Sequence, residues 1–232
     1  MHEALVFLPG IGCDARLFGP QIADLSRDHA VMVAPVSQGE RIEEIASGLL
    51  DLLPARSALV GWAFGGSVAI EIMRRAPERV SRLALISATP LAETAQQAAA
   101  RDPRIIRARA GNLKDAIEEE YHADLITPGP WQADILALVR DMAIAQGADC
   151  FVRQSSAMQR RRDQQATLRR NKVPTLILCG SEDVRYPAQR QSFMAELIPG
   201  ATLCCLENVA HFPTLEQPDA VSAALREWMR GG

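Results

Sequence analysis

Apolar and polar positions along this chain follow two alternating rhythms. Short, nearly unbroken apolar runs recur at "ALVFLP" (4–9), "AVMVAP" (30–35), "ALVGW" (58–62), "RLALISA" (82–88), "PTLILCG" (174–180) and "ATLCCLE" (201–207). Half-exposed strands alternate apolar and polar residues, so runs without alternation predict strands covered on both faces. Between them the spacing changes. "ERIEEIASGLLDLL" places Ile42, Ile45, Leu49 and either Leu52 or Leu53 at helical intervals. "GSVAIEIMRRAPERV" does the same, and its helix is expected to stop before Pro77, because proline disfavours helical backbone in the residue ahead of it. Strand and helix in strict alternation predict the α/β class, a mostly parallel sheet flanked by helices.

From about Pro90 to Arg170 the alternation stops. "AAARDPRIIRARAGNLKDAIEEEYHADL" and "PWQADILALVRDMAIAQGADCFVRQSSAMQRRRDQQATLRR" are helical throughout. A helical stretch lying between two strands is expected to be an inserted cap, not an independent domain. The organisation is then 1–90 for the first part of the core, 91–170 for the cap and 171–232 for the rest. Trp131, Ile135, Leu138 and Met142 are expected to form the underside of the cap. The runs Arg104, Arg107, Arg109 and Arg160, Arg161, Arg162 read as solvated helix faces, with a carboxylate clamp as the alternative.

Composition narrows the function classes. The 232 residues are 48% apolar and 23% charged, with a net charge of −3, which gives no reason to expect a nucleic-acid or anionic-membrane partner. Five scattered cysteines form no CxxC pair and no metal-ligand spacing, as free thiols in a reducing cytosol would. "ALVFLPG" begins almost at once and lacks a basic flank, so no secretory signal is expected. No apolar run approaches the roughly 18 residues of a membrane span. The expectation is a cytoplasmic protein, monomer or homodimer, acting on a small molecule without metal or organic cofactor.

Candidate chemistry begins in "LVGWAFGGSVA" (59–69), a strand running through one residue into a helix. Such a turn forces its single residue into strained backbone at positive φ. Small residues are needed two places before and after it, so that strand and helix can approach. Gly61 and Gly65 stand there around Ala63, and Gly66 adds room. The geometry suits a nucleophile whose attack creates an oxyanion at a helix N-terminus. An ordinary glycine-rich turn would look the same, and a dinucleotide fingerprint does not fit "GWAFGG".

Two later segments separate those alternatives. Asp183 follows the strand "PTLILCG", and His211 follows "ATLCCLE". Loops at the carboxyl ends of parallel strands converge on one edge of the sheet. Position 63, Asp183 and His211 should therefore gather there in the order nucleophile, acid, histidine. Asp183 would orient the imidazole and His211 would carry the proton, with the carboxylate within hydrogen-bond reach of one ring nitrogen.

These residues resemble the α/β-hydrolase fold family, in particular its small capped esterases and lactonases. "GWAFGG" is similar to the family's G-x-S-x-G-G, which reads GWSxGG in pimeloyl-carrier methyl esterases, with Ala63 in the serine place. "CGSEDVRYP" resembles the acid loop and "AHFPTLEQPDAV" the histidine loop. "LPGIGCDARLF" resembles the oxyanion loop, with Pro9-Gly10 where many members have His-Gly. The resemblance implies an oxyanion hole from the N–H groups of Phe64 and Ile11, with Gly12 as the substitute for Ile11 if the Pro9 variant shifts the loop. It also implies substrate contacts from Trp62 and Trp131. Asp14 is expected to cap the helix starting at Ala15. Cys13 has no evident base that would make it a nucleophile.

Ala63 divides the functional expectations. A methyl group attacks nothing, yet Asp183 and His211 stand intact. The favoured expectation is a serine esterase or lactonase in an inactive form, its nucleophile replaced by alanine. The alternatives are a catalytically silent ligand-binding protein on the same fold, and a lyase or cofactor-free enzyme using His211 with Asp183.

Overall fold

A computed structural model describes residues 3–231. Its six strands are β1 (Leu5–Leu8), β2 (Val31–Val33), β3 (Ser57–Trp62), β4 (Val80–Ile86), β5 (Thr175–Gly180) and β6 (Thr202–Leu206). Every pairing is parallel, and the order across the sheet is β2-β1-β3-β4-β5-β6. The chain starts in the interior, steps outward to β2, then crosses back over β1 to β3 and proceeds to the opposite edge. That reversal between β1 and β3 opens a crevice at the carboxyl ends of the two strands, where ligands bind in sheets of this kind.

The core strands β1, β3 and β5 are buried along their whole length, as unbroken apolar runs predict. Strand β6 departs from the expectation, with Thr202, Leu203 and Cys205 exposed. The cause is position. An edge strand has a neighbour on one side, and helix α10 (Ala188–Leu197) packs against it. An apolar run therefore identified the strand correctly but overstated its coverage.

On the core, α1 (Gly19–Leu25) follows a short 3-10 turn at Ala15–Phe18, whose N-terminus Asp14 caps by accepting from the Arg16 N–H at 2.9 Å. Helix α2 (Ile42–Leu50) buries Ile42, Ile45, Ala46 and Leu49. Beyond it, Leu53 turns inward and Leu52 is exposed, which resolves the ambiguity of the sequence pattern. Helix α3 (Phe64–Arg75) is buried from Phe64 to Met73 and ends ahead of Pro77. Helices α11 (Pro213–Glu216) and α12 (Pro218–Arg230) close the chain.

Between β4 and β5 run α4 (Ala95–Ala99), α5 (Asp102–Arg109), α6 (Leu113–Glu120), α7 (Gln132–Gln146), α8 (Ala148–Gln159) and α9 (Gln165–Arg169). Helix α5 packs on α6 and α8, and α7 packs on α6 and α8. Ile135 and Met142 are buried and Leu138 half-buried, as expected of an underside. Trp131 is the exception. It precedes the first turn of α7, stays 44% exposed, and lays its ring over Gly129. One place before a helix, a side chain points along the axis instead of joining the buried stripe.

Candidate active site

Strand β3 ends at Trp62 and α3 begins at Phe64, so Ala63 alone makes the turn. Its backbone stands at φ 48°, ψ −106°, a region that costs a residue with a Cβ about 1–3 kcal/mol. Hydrogen bonds hold the strain at both ends: the Ala63 N–H donates to Ile86 O at 3.0 Å, and the Gly66 N–H donates to Ala63 O at 3.1 Å. The flanking glycines are required by contact. A Cβ on Gly65 would lie 1.9 Å from Leu8 O, and one on Gly61 would lie 2.6 Å from Gly65 O. Phe64, as the first helical residue, has no intrahelical acceptor for its N–H, which sits at the positive end of the helix dipole.

Asp183 and His211 emerge from the carboxyl ends of β5 and β6 onto this same edge. Asp183 Oδ2 lies 2.9 Å from His211 Nδ1, and neither side chain has any exposed surface. An ionised carboxylate only accepts, so the imidazole proton sits on Nδ1 and Nε2 is left as the basic nitrogen. The second oxygen, Oδ1, accepts from the Arg185 N–H at 2.9 Å and the Tyr186 N–H at 3.0 Å. Burial opposes ionisation of Asp183. The histidine and these N–H groups outweigh it and hold the carboxyl down at about 2.

The histidine is fixed on every side but one. Its N–H donates to Leu125 O at 3.0 Å, and its carbonyl accepts from the Trp62 indole N–H at 2.9 Å. Rings of Trp62, Tyr186 and Phe212 surround the imidazole at centroid distances of 4.9, 5.6 and 5.5 Å. Nε2 is buried and has no hydrogen-bond partner among the described residues. A buried polar atom left in that state costs about 1–3 kcal/mol, and here it is the ring nitrogen opposite the one held by Asp183.

The segment that resembles an oxyanion loop is a four-residue turn from Gly10 to Cys13, closed by the Cys13 N–H donating to Gly10 O at 3.1 Å. Gly12 stands at φ +64°, and its N–H donates to Gln154 Oε1 at 2.7 Å. Gly12 is thereby committed elsewhere, which leaves Ile11 as the candidate donor on this loop. Cys13 is buried beneath it, and that burial pushes its thiol far above the ordinary range. A thiol of this kind is inert.

Trp62 is wholly buried, bonded to the His211 carbonyl, and packed so tightly on Gly10 that a Cβ there would come within 2.1 Å of its ring. Its contacts join the strand to two loops, and like His211 it has no exposed surface in this arrangement. In the arginine runs Arg107, Arg109, Arg160 and Arg162 stay solvent-accessible, as expected of solvated faces, while Arg104 and Arg161 depart from that expectation. Arg104 pairs with Glu120 at 3.0 Å, Arg160 with Glu40 at 3.1 Å, Arg161 with Glu93 at 3.4 Å and Arg162 with Glu43 at 3.0 Å; Arg107 pairs with Glu119. Arg104 and Arg161 are largely buried.

Residues 5–224 match the family model described as Alpha/beta hydrolase family. The chain belongs to this family. Among its relatives is RutD of Pseudomonas savastanoi pv. phaseolicola, provisionally named a carbamate hydrolase, 28% identical over 92% of this chain and 88% of its own. The pimeloyl-[acyl-carrier protein] methyl ester esterase of Nitrosomonas europaea is 26% identical over 78% of this chain and 74% of its own. The enol-lactonase of Burkholderia xenovorans shares the fold, with a TM-score of 0.85 at 22% identity, covering 100% of this chain and 92% of that one.

Two buried or half-buried glutamates beside the candidate site are not among the site residues expected from the sequence. Glu216 accepts from the Ala210 N–H at 3.1 Å and the Phe212 N–H at 2.9 Å, on either side of His211, and from the N–H and hydroxyl of Thr127 at 2.9 and 2.8 Å. It staples the histidine loop to the helical segment. Glu120, also buried, pairs with Arg104, with Arg101 at 3.5 Å and with Arg185 of the acid loop at 3.1 Å. Against its burial, these guanidinium groups hold the Glu120 carboxyl down at about 2. Glu120 belongs to no local pattern, because it reaches Arg101, Arg104 and Arg185 on separate elements, and Glu216 joins its near neighbours in the histidine loop to Thr127, 89 positions away.

Proposed function

We propose that this chain carries an ester- or lactone-hydrolysing site of the Ser-Asp-His type, and that with Ala63 it is an inactive form that still binds substrate. The observation that carries the proposal is the buried, unpartnered Nε2 of His211. Its Nδ1 is held by Asp183, and the residue bonded to its carbonyl is the neighbour of Ala63. A serine hydroxyl at position 63 is the group this nitrogen lacks. With serine there, the hydroxyl proton passes to Nε2 as the oxygen attacks the substrate carbonyl. The developing oxyanion accepts from the Phe64 and Ile11 N–H groups; its collapse breaks the bond to the leaving oxygen, which takes the proton from Nε2. Water, giving a proton to Nε2 in turn, then hydrolyses the acyl-serine and restores the hydroxyl.

The helical segment acts as a cap in this reading. His211 has no exposed surface, Phe64 is 1% exposed and Ile11 3%, so a substrate enters only when the segment moves. The names of the relatives, a carrier methyl esterase and an enol-lactonase, support a small acyl compound as substrate. The methyl of Ala63 supports a second reading, a silent ligand-binding protein.

Ala63→Ser decides between them. The variant is expected to hydrolyse p-nitrophenyl acetate at least about a thousandfold faster than the Ala63 chain, and to be labelled by a fluorophosphonate. His211→Ala in the same background abolishes both. A folded Ala63→Ser protein inert towards esters, thioesters and lactones alike removes the hydrolase reading and leaves the binding one.

A further inference from the structure

The turn that carries Ile11 is gripped from outside at an unusual place. In a four-residue turn the central peptide can rotate by about half a turn while both ends stay put, which interconverts the type I and type II forms. Here the central peptide joins Ile11 to Gly12, and φ +64° at Gly12 marks the type II form. Glycine adopts negative φ about as readily, so the turn by itself does not choose between the two orientations.

Two side chains of the helical segment choose for it. The Tyr121 hydroxyl donates to Ile11 O at 2.7 Å, and Gln154 Oε1 accepts from the Gly12 N–H at 2.7 Å. These are the two ends of one peptide group. Both side chains are buried, and each is itself fixed. Gln154 Nε2 donates to Val36 O at 3.1 Å, which sets its amide with the oxygen toward Gly12. Tyr121 packs on Trp62 at a centroid distance of 6.3 Å and lies under the Arg185 guanidinium. Rotation of the peptide would turn the Ile11 carbonyl toward Gln154 Oε1, acceptor against acceptor, and leave the tyrosine hydroxyl without its carbonyl.

We infer that Tyr121 and Gln154 are positioning residues that latch the Ile11–Gly12 peptide in one orientation, and thereby fix the turn that bears the Ile11 N–H. Neither touches the reacting atoms. They come from two different stretches of the helical segment, the end of α6 and the middle of α8, so movement of that segment releases the turn and its return resets it. Movement of the segment and the firmness of the turn that bears the Ile11 N–H are coupled through one peptide plane.

The kinetic arm of the test rests on the hydrolase reading; the structural arm does not. In the Ala63→Ser background, Tyr121→Phe and Gln154→Leu are each expected to lower kcat about 10- to 100-fold and leave KM within about twofold, because a turn free to exchange between its two forms holds the Ile11 N–H less firmly where charge develops, which weakens the transition state more than the bound ester. The double variant is expected to lose little more than either single one, since both bonds hold the same peptide. Losses that multiply in the double variant, or fall on KM as heavily as on kcat, overturn the latch.

If Ala63→Ser is itself inert, crystal structures of the two single variants in the Ala63 chain decide. The expected result is negative φ at Gly12 with the Cys13–Gly10 hydrogen bond retained. Gly12 still at positive φ in both variants overturns the inference whatever the fate of the hydrolase reading.

Discussion

The two halves of the candidate site are built by opposite means. On the sheet side, Ala63, Asp183 and His211 sit at strand ends, placed by local backbone: a strained turn after β3 and loops after β5 and β6. On the helical side, Glu120, Tyr121, Leu125 and Gln154 contact the acid, oxyanion and histidine loops through side chains and single carbonyls reaching across more than a hundred positions in some cases, as Tyr121 to Ile11 does. The difference teaches where precision comes from. The sheet brings the groups to one edge, and the helical segment sets the orientation of the loops that carry them.

The sharpest way to break this division is at its reactive centre. In the Ala63→Ser background, His211→Ala should cost about 10⁴-fold or more in kcat, because nucleophile and base act as one unit. A loss of tenfold or less would mean that the sheet side does not carry the chemistry. Next in size is Gly65→Ala. Its new methyl meets the Leu8 carbonyl at 1.9 Å, backbone against backbone, so the strand-to-helix approach must open. Destabilisation beyond about 4 kcal/mol is expected, read from the shift of the urea midpoint.

The helical side is tested by Glu120→Gln. The substitution leaves Arg101, Arg104 and Arg185 facing a neutral amide and should cost about 3–5 kcal/mol. The effect depends on pH. The Glu120 carboxyl, held at about 2 in the fold against an ordinary 4.5, contributes stability that is fully present above about pH 4.5 and lost as pH falls through about 2. The gap between the parent chain and Glu120→Gln should therefore close across that window when both are unfolded by urea at a series of pH values. A gap independent of pH would show that packing, not charge, joins the two halves.

Ala63→Gly sharpens the comparison from the backbone side. Glycine occupies φ 48° without a Cβ, so the variant should gain about 1 kcal/mol in thermal or urea unfolding. No gain would mean that the turn is not the seat of strain. The smallest effect is expected at Trp131→Ala, within about 0.5 kcal/mol, because the ring is largely exposed on Gly129. A calorimetric titration of substrate against the same variant checks the remaining proposal for this residue, that it contacts the ligand; unchanged affinity removes it.

What was legible in the sequence follows from range. The six apolar runs, the break before Pro77 and the glycines around Ala63 encode local preferences, and each maps onto the strand, helix end or turn it predicts. Asp183 and His211 were legible because parallel topology sends the loops after successive strands to one edge, a rule that needs only the order of elements. Coverage of β6 was not legible, since an apolar run does not record whether its strand has one neighbour or two. Trp131 misled for a related reason: helical spacing places it on the buried stripe only if the helix has already begun there.

The sequence by itself therefore determined the class of fold, the strained turn at Ala63 and the meeting of an acid with a histidine, because each depends on residues close together or on chain order. Only the tertiary structure decided that Trp62 is a buried brace, that Gly12 spends its N–H on Gln154, and that Glu216 and Glu120 tie the loops bearing His211 and Asp183 to the helical segment. Those bonds join partners from separate parts of the chain. A hydrogen bond needs its donor and acceptor within about 3 Å, and no pattern along one dimension fixes a distance that three-dimensional packing alone sets.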